Sequence, residues 1–261
     1  KMNKGDVYLI EGAAEYKNDL TGSLIESDQP IAVFSGHRRT TIPEGFRNVD
    51  GGPSRDHLVE ELPPVSAWGD SALVVPFATS MRPDLVRIVC AEDSTEIKLN
   101  GTSVGSFPAG GFYEITSLAG VTAVHASKPI LVGQYMHTSY GGLSRTPQAY
   151  GDPALALVYP VEQFDRKYTI VSIVDPVSFT GNFVNIVTDA DSIATMQIDG
   201  TPMLTSEFTK IPGTTYAYAQ HRLPQGTHNI TGGAPFGVTI YALGPVDSYA
   251  YTGGSLLRTI T

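Results

Sequence analysis

Three stretches of this chain carry one theme. PIAVFSGHRR at 30–39, PILVGQYMH at 129–137 and PFGVTIYALG at 235–244 each open on a proline. The lead-ins are small or polar: ESDQ, HASK and TGGA. Upstream, LVRIVCAEDSTEIKLNGT at 85–102 is matched by FVNIVTDADSIATMQIDGT at 183–201, and LPPVSAW at 62–68 by VYPVEQF at 158–164. A recurring segment of this length restricts a fold to like units set side by side. The chain reads as two copies of a unit of roughly 100 residues, over 62–140 and 158–244, after a partial copy ending near His37.

The units are β in character. ALVVPFA, LVRIV, EIKL, GFYEI, VTAVHA and PILVGQY are short, rich in Val, Ile, Phe and Tyr, and bounded by turn residues. Asn100-Gly101 and Asp199-Gly200 close the paired strands with dipeptides that tolerate the positive φ of a tight hairpin turn. With 27 Gly, 18 Pro and only 16% charged residues, the composition suits short strands and many turns. The expected class is all-β: tandem antiparallel β-sandwich-like units. The expected domains are a partial first β unit and loop over 1–55, a second unit over 56–150 and a third over 151–261. PIAVFSG reads as a buried strand, RDHLVEEL at 55–62 as one or two helical turns, and GGPSRDH and SYGGLSRTPQAYGDP as loops. KMNKGDVYLIEG starts almost directly on a strand and has no apolar signal core, as in a mature protein or an excised fragment.

Charge and cysteine usage exclude several partners. A net charge of −9, with no Lys/Arg-rich run, argues against nucleic acid and anionic lipid. The longest apolar stretch, ALALVYPV at 154–161, is far short of a membrane span. Cys90 is the single cysteine, so no intrachain disulfide forms, and its setting after VRIV reads as a buried strand end.

The sequence holds no G-x-S-x-G, H-E-x-x-H, P-loop or C-x-x-C motif. Histidines 37, 57, 125, 137, 221 and 228 lack the close spacing of a metal site and read as local hydrogen-bonding groups. The acidic turns at Glu92-Asp93 and Asp189-Asp191 read as turn chemistry rather than a calcium site. Asn100 and Asn229 head glycosylation sequons, which act only in a secretory eukaryotic setting. Thirteen tyrosines, Tyr140 beside the long linker among them, supply amphipathic surface of the kind contact faces use.

One family fits these motifs. SGH at 35–37, DHLVEELPPVSAWG at 56–69, KPILVGQYMH at 128–137, VEQF at 161–164 and NFVNIV at 182–187 resemble the IgGFc-binding protein N-terminal domain family, from about residue 28 to SYAYTGG at 248–254. The resemblance implies an extracellular or cell-surface place and a binding or adhesive role without catalysis. Family members often carry cysteines after the SGH and before the DHLVE; here those places read RRTTIP and PSRDH, so the loop over 38–55 has no disulfide clip. His37, His57 and Glu60 match the family pattern and read as pins for this loop.

The expected function is therefore a non-enzymatic extracellular recognition module binding protein or glycan on another surface. Its ligand-binding candidates are His37, Arg38, Arg39, His57, Glu60 and Tyr140. No catalytic residue, metal, cofactor, nucleic acid or membrane insertion is expected; a homo-oligomer or neighbouring domains of a longer chain are further partners. The alternatives are a structural module of a larger surface fibre and a polysaccharide hydrolase, the latter requiring a deep cleft with two carboxylates.

Overall fold

The structure, a computed structural model, describes residues 2–12, 18–45, 54–78, 82–139, 151–173, 179 and 181–260. The fold is nearly all β, with antiparallel pairing throughout three sheets. The smallest is a ribbon of β1 (Phe34–Thr40) and β2 (Asp56–Glu61).

The middle sheet contains β3 (Gly69–Val74), β4 (Asp84–Cys90), β5 (Thr95–Leu99), β6 (Thr102–Phe107), β7 (Phe112–Leu118), β8 (Thr122–Met136) and β9 (Ala154–Val158). Its order is β6-β5-β8-β4-β7, and β3 and β9 also pair with β8. The last sheet contains β10 (Asp165–Ser172), β11 (Gly181–Asp189), β12 (Gln197–Ile198), β13 (Thr201–Pro202), β14 (Thr209–Lys210), β15 (Tyr216–Leu223), β16 (Gly226–Gly244) and β17 (Asp247–Thr252). Here the order is β13-β12-β16-β11-β15-β14, with β10 and β17 also on β16.

One long strand organises each large sheet. β8 is flanked by β3 and β5 along its first half and by β4 and β9 along its second. β16 is flanked in the same way by β10 and β12, then by β11 and β17. Pro129 and Pro235 lie inside these strands, not at their starts as the sequence reading placed them. The β3 and β10 registers break beside them, and a bulge is where a strand tolerates a residue that donates no hydrogen bond.

Local chemistry explains the hairpins. Asn100 and Gly101 adopt φ 48° and 82°, and Asp199 and Gly200 adopt 52° and 77°, the two positive values a tight turn needs. Each turn side chain then reaches the long strand: Asn100 Oδ1 accepts the Ala123 amide at 2.9 Å, and Asp199 Oδ1 the Asn229 amide at 2.8 Å. Asp93 and Asp189 accept backbone amides of Ala109 and Asp191, so the acidic turns do turn chemistry.

Each large sheet curls around its own core. Val74, Val86, Ile88, Ile97 and Val132 fill the middle one, and Val184, Ile186, Ile230, Phe236 and Ile240 the last. Each such side chain contributes about 1.5–3 kcal/mol by leaving water. Cys90 ends β4 buried in the first core, where burial pushes its thiol pKa up.

A strap joins the two sheets. Gln134 Nε2 donates to the Val75 carbonyl and to Asp84 Oδ2 from one side, while Asn185 Nδ2 donates to the Val75 and Pro76 carbonyls from the other. Tyr241 Oη accepts the Ala78 amide at 2.7 Å and donates to Asn185 Oδ1 at 2.9 Å. Phe77 packs on the Tyr241 ring with centroids 4.8 Å apart.

Three sequence expectations are corrected. RDHLVEEL is strand, not helix: His57, Val59 and Glu61 face out while Leu58 is buried, a period of two that pairs with β1. PIAVFSGHRR is not a buried strand ending at His37. The strand begins at Phe34, His37 sits within it, and only Thr40 is buried, because β1 pairs with no strand other than β2 among the described residues. Residues 2–12 hold no strand.

Candidate functional site

The ribbon carries most of the sequence-derived site. Register places His37 opposite Leu58 and Ser35 opposite Glu60, so these share the face turned toward the body. Phe34, Gly36, Val59 and Glu61 share the opposite face, where Phe34 is 64% and Val59 52% exposed. A register shift between His37 and Thr40 falls at the two arginines. His37 Nδ1 accepts the Arg39 amide at 3.0 Å and His57 Nδ1 lies 3.3 Å from the Arg38 carbonyl, so both histidines pin ribbon backbone. Glu60 points at β9, where burial pushes its carboxyl up to about 7 against a hydrogen bond from the Leu157 amide. Tyr140 lies outside the described residues.

Beneath the ribbon is a polar junction that the sequence did not single out. Ser54 Oγ accepts the Ser139 amide at 3.0 Å and the Ser139 hydroxyl at 2.9 Å. It donates in turn to the Asp152 carboxylate. Asp152 is 5% exposed, and its Oδ1 has no hydrogen-bond partner. Burial pushes the Asp152 carboxyl up to about 7; Asp56 and Asp247 add to the shift, and the Ser54 hydroxyl and Arg39 oppose it. The Ile42 amide donates to Thr138 Oγ1 at 2.7 Å, and the Thr138 amide to the Ile42 carbonyl at 2.9 Å. The loop over 38–55 thus lacks a disulfide, yet both its flanks are tied to residues 138, 139 and 152. Asp152 belongs to a Gly-Asp-Pro tripeptide that scans only as a turn.

The other histidines are likewise locally engaged. His125 meets Ser71, His137 the Thr138 carbonyl, His221 Glu207, and His228 both Asp199 and the Pro224 carbonyl. Among the described residues no group of three or more His, Cys, Asp or Glu is placed to hold a metal ion. A narrow crevice opens between the large sheets, lined by Gln134, Tyr159, Tyr168, Asn185, Thr239, Thr252 and apolar side chains and by no carboxylate. No helix among the described residues is long and apolar enough to cross a membrane.

The described fold is all-β, and its polar ribbon stands on a hydrogen-bonded base. Residues 1–242 match the IgGFc binding protein family, and the chain belongs to that family. It is similar to the human IgGFc-binding protein, with 28% identity over 93% of this chain and 4% of the human protein's length. Two solved structures are similar only faintly. A Pleurotus ostreatus lectin in its apo form is 11% identical over 74% of this chain and 81% of its own, with a TM-score of 0.20. An anti-sigma factor domain-containing protein is 8% identical over 73% and 83%, with a TM-score of 0.19.

Proposed function

We propose that this chain is a non-enzymatic adhesion or recognition module of a secreted or cell-surface protein, and that the β1–β2 ribbon contacts a protein or glycan ligand. The observation that carries this reading is the ribbon's composition. In a chain of net charge −9, the ribbon carries Arg38 and Arg39, with His57 on the outward face of exposed Phe34 and Val59 and His37 on the face turned toward the body. Arginines next to an apolar patch suit a partner that offers acidic groups and a flat face, such as an acidic glycan or an acidic protein surface. The pinned base limits the ordering that binding would cost. Membership of a family named for a binding protein supports a binding role over a catalytic one.

The test is binding of the purified chain to sialylated and sulfated glycans, mucin and human IgG Fc. Binding that weakens at least about tenfold in R38A/R39A, with an unchanged melting temperature, is the expected result. Absence of binding to every probe, or binding that ignores the double substitution, would overturn the assignment.

A further inference from the structure

Among the described residues, the outer edge of β1 and the stretch before it lack the partners that their counterparts possess. Counting from Pro30, Pro129 and Pro235, the fourth residue onward is Phe34, Gly133 and Thr239. Gly133 lies between Arg87 of β4 and Leu157 of β9. Thr239 lies between Asn185 of β11 and Thr252 of β17. Phe34 lies opposite Glu61 of β2, and no strand pairs with its other side among the described residues. Gly36 repeats the pattern: Val59 faces it on one side, whereas Tyr135 sits between Leu85 and Leu155, and Tyr241 between Phe183 and Ala250.

Burial points the same way. The residue one after the proline is Ile31, Ile130 or Phe236; the second and third are 3% and 0% exposed, while Ile31 is 52% exposed. The residue five before the proline is Ile25, Val124 or Ile230, with exposures of 52%, 2% and 0%. Large apolar side chains at matched positions are thus core in the two large sheets and bare in the stretch ahead of the ribbon. The stretch is held in place nonetheless, since Asp19 and Thr21 just before it bind Arg87 of the middle sheet at 2.6 and 3.0 Å.

We infer that residues 24–36 are a strand-acceptor surface, completed by β-strands of the β4–β5 type carried ahead of them on a longer polypeptide. The type follows from what flanks β8 and β16: an alternating apolar strand on the second half and a short strand of an Asn/Asp-Gly hairpin on the first. The position follows from chain order, because β4, β5, β11 and β12 all precede the long strand they flank. An incoming strand would pair its backbone with β1 and cover Ile25 and Ile31, as in strand addition to an open edge. This inference is independent of the ligand-binding face, since Phe34 and Val59 project from the ribbon and pairing takes place at its edge.

The test joins a second copy of residues 62–107 ahead of the full chain through a flexible linker and reads amide hydrogen exchange. The expected result is a slowing of about a hundredfold or more at Ile25 and over Ile31–Gly36, absent when the added segment is scrambled. Unchanged exchange there, with β8 and β16 still protected, would overturn the inference, as would equal protection from the scrambled segment. In the unmodified chain, protection of Ile31–Gly36 that grows with protein concentration would also overturn it, in favour of a second copy of this chain.

Discussion

The Ser54 and Ser139 hydroxyl oxygens lie 2.9 Å apart although 85 residues separate them, and through Ser54 they connect to the buried carboxyl of Asp152. Three separate segments of the chain are thereby tied at one point, directly under the ribbon.

Replacing that hydroxyl should be costly. Ser54→Ala leaves the Ser139 amide and the Asp152 carboxyl without a partner, and an orphaned buried polar group costs about 1–3 kcal/mol. For a chain of this size the melting temperature should fall by roughly 2–4 °C per kcal/mol. Ser139→Ala should add little on top of it, so a double-mutant cycle by calorimetry should be clearly non-additive.

Stability should fall as pH rises through neutrality. Asp84, Asp152 and Glu60 each have a carboxyl raised to about 7 by burial. A group with a raised folded-state pKa contributes stability that is fully present below its unfolded value near 4 and is lost as pH climbs through 7. The chain should melt roughly 3–6 °C higher at pH 6 than at pH 8. Asp84→Asn with Asp152→Asn should flatten that slope; a slope equal to the parent's would remove these two carboxyls as its source.

Tyr241→Phe should uncouple the strap. The hydroxyl serves both the Ala78 amide and Asn185 Oδ1, so its loss should cost about 1–3 kcal/mol in urea denaturation without altering the m-value.

Two glycines should behave oppositely. A Cβ at Gly237 would stand 2.4 Å from Cε1 of buried Phe164, whereas one at Gly120 meets nothing within 4 Å. Gly237→Ala should destabilise by about 1–3 kcal/mol through overpacking, and Gly120→Ala should stay within about 0.5 kcal/mol of the parent. Thermal melts of the two variants side by side would decide it.

What the sequence disclosed follows from how local each signal is. Asn100-Gly101 and Asp199-Gly200 announced their hairpins because a positive φ at two adjacent residues leaves few other choices. Val86, Ile88 and Cys90 announced a half-buried strand by alternation. His57–Glu61 misled because a five-residue run with Leu58, Val59 and two acids scans equally well as a helical turn; pairing with β1 decides for strand. Ser54, Ser139 and Asp152 carried no signal, since the serines and a Gly-Asp-Pro turn are ordinary and only the fold brings them together. Exposure of the apolar PIAVF stretch was also illegible, because burial depends on strands that the local sequence does not contain.

The strap at Val75–Ala78 has one more implication. Its carbonyls and amides are claimed by side chains rooted in both large sheets, so neither sheet can open without stripping hydrogen bonds from the other. A chain with a core in each large sheet should therefore lose its structure in one step, with van't Hoff and calorimetric enthalpies in agreement. A molecule bearing such modules would then yield to heat or strain a whole module at a time.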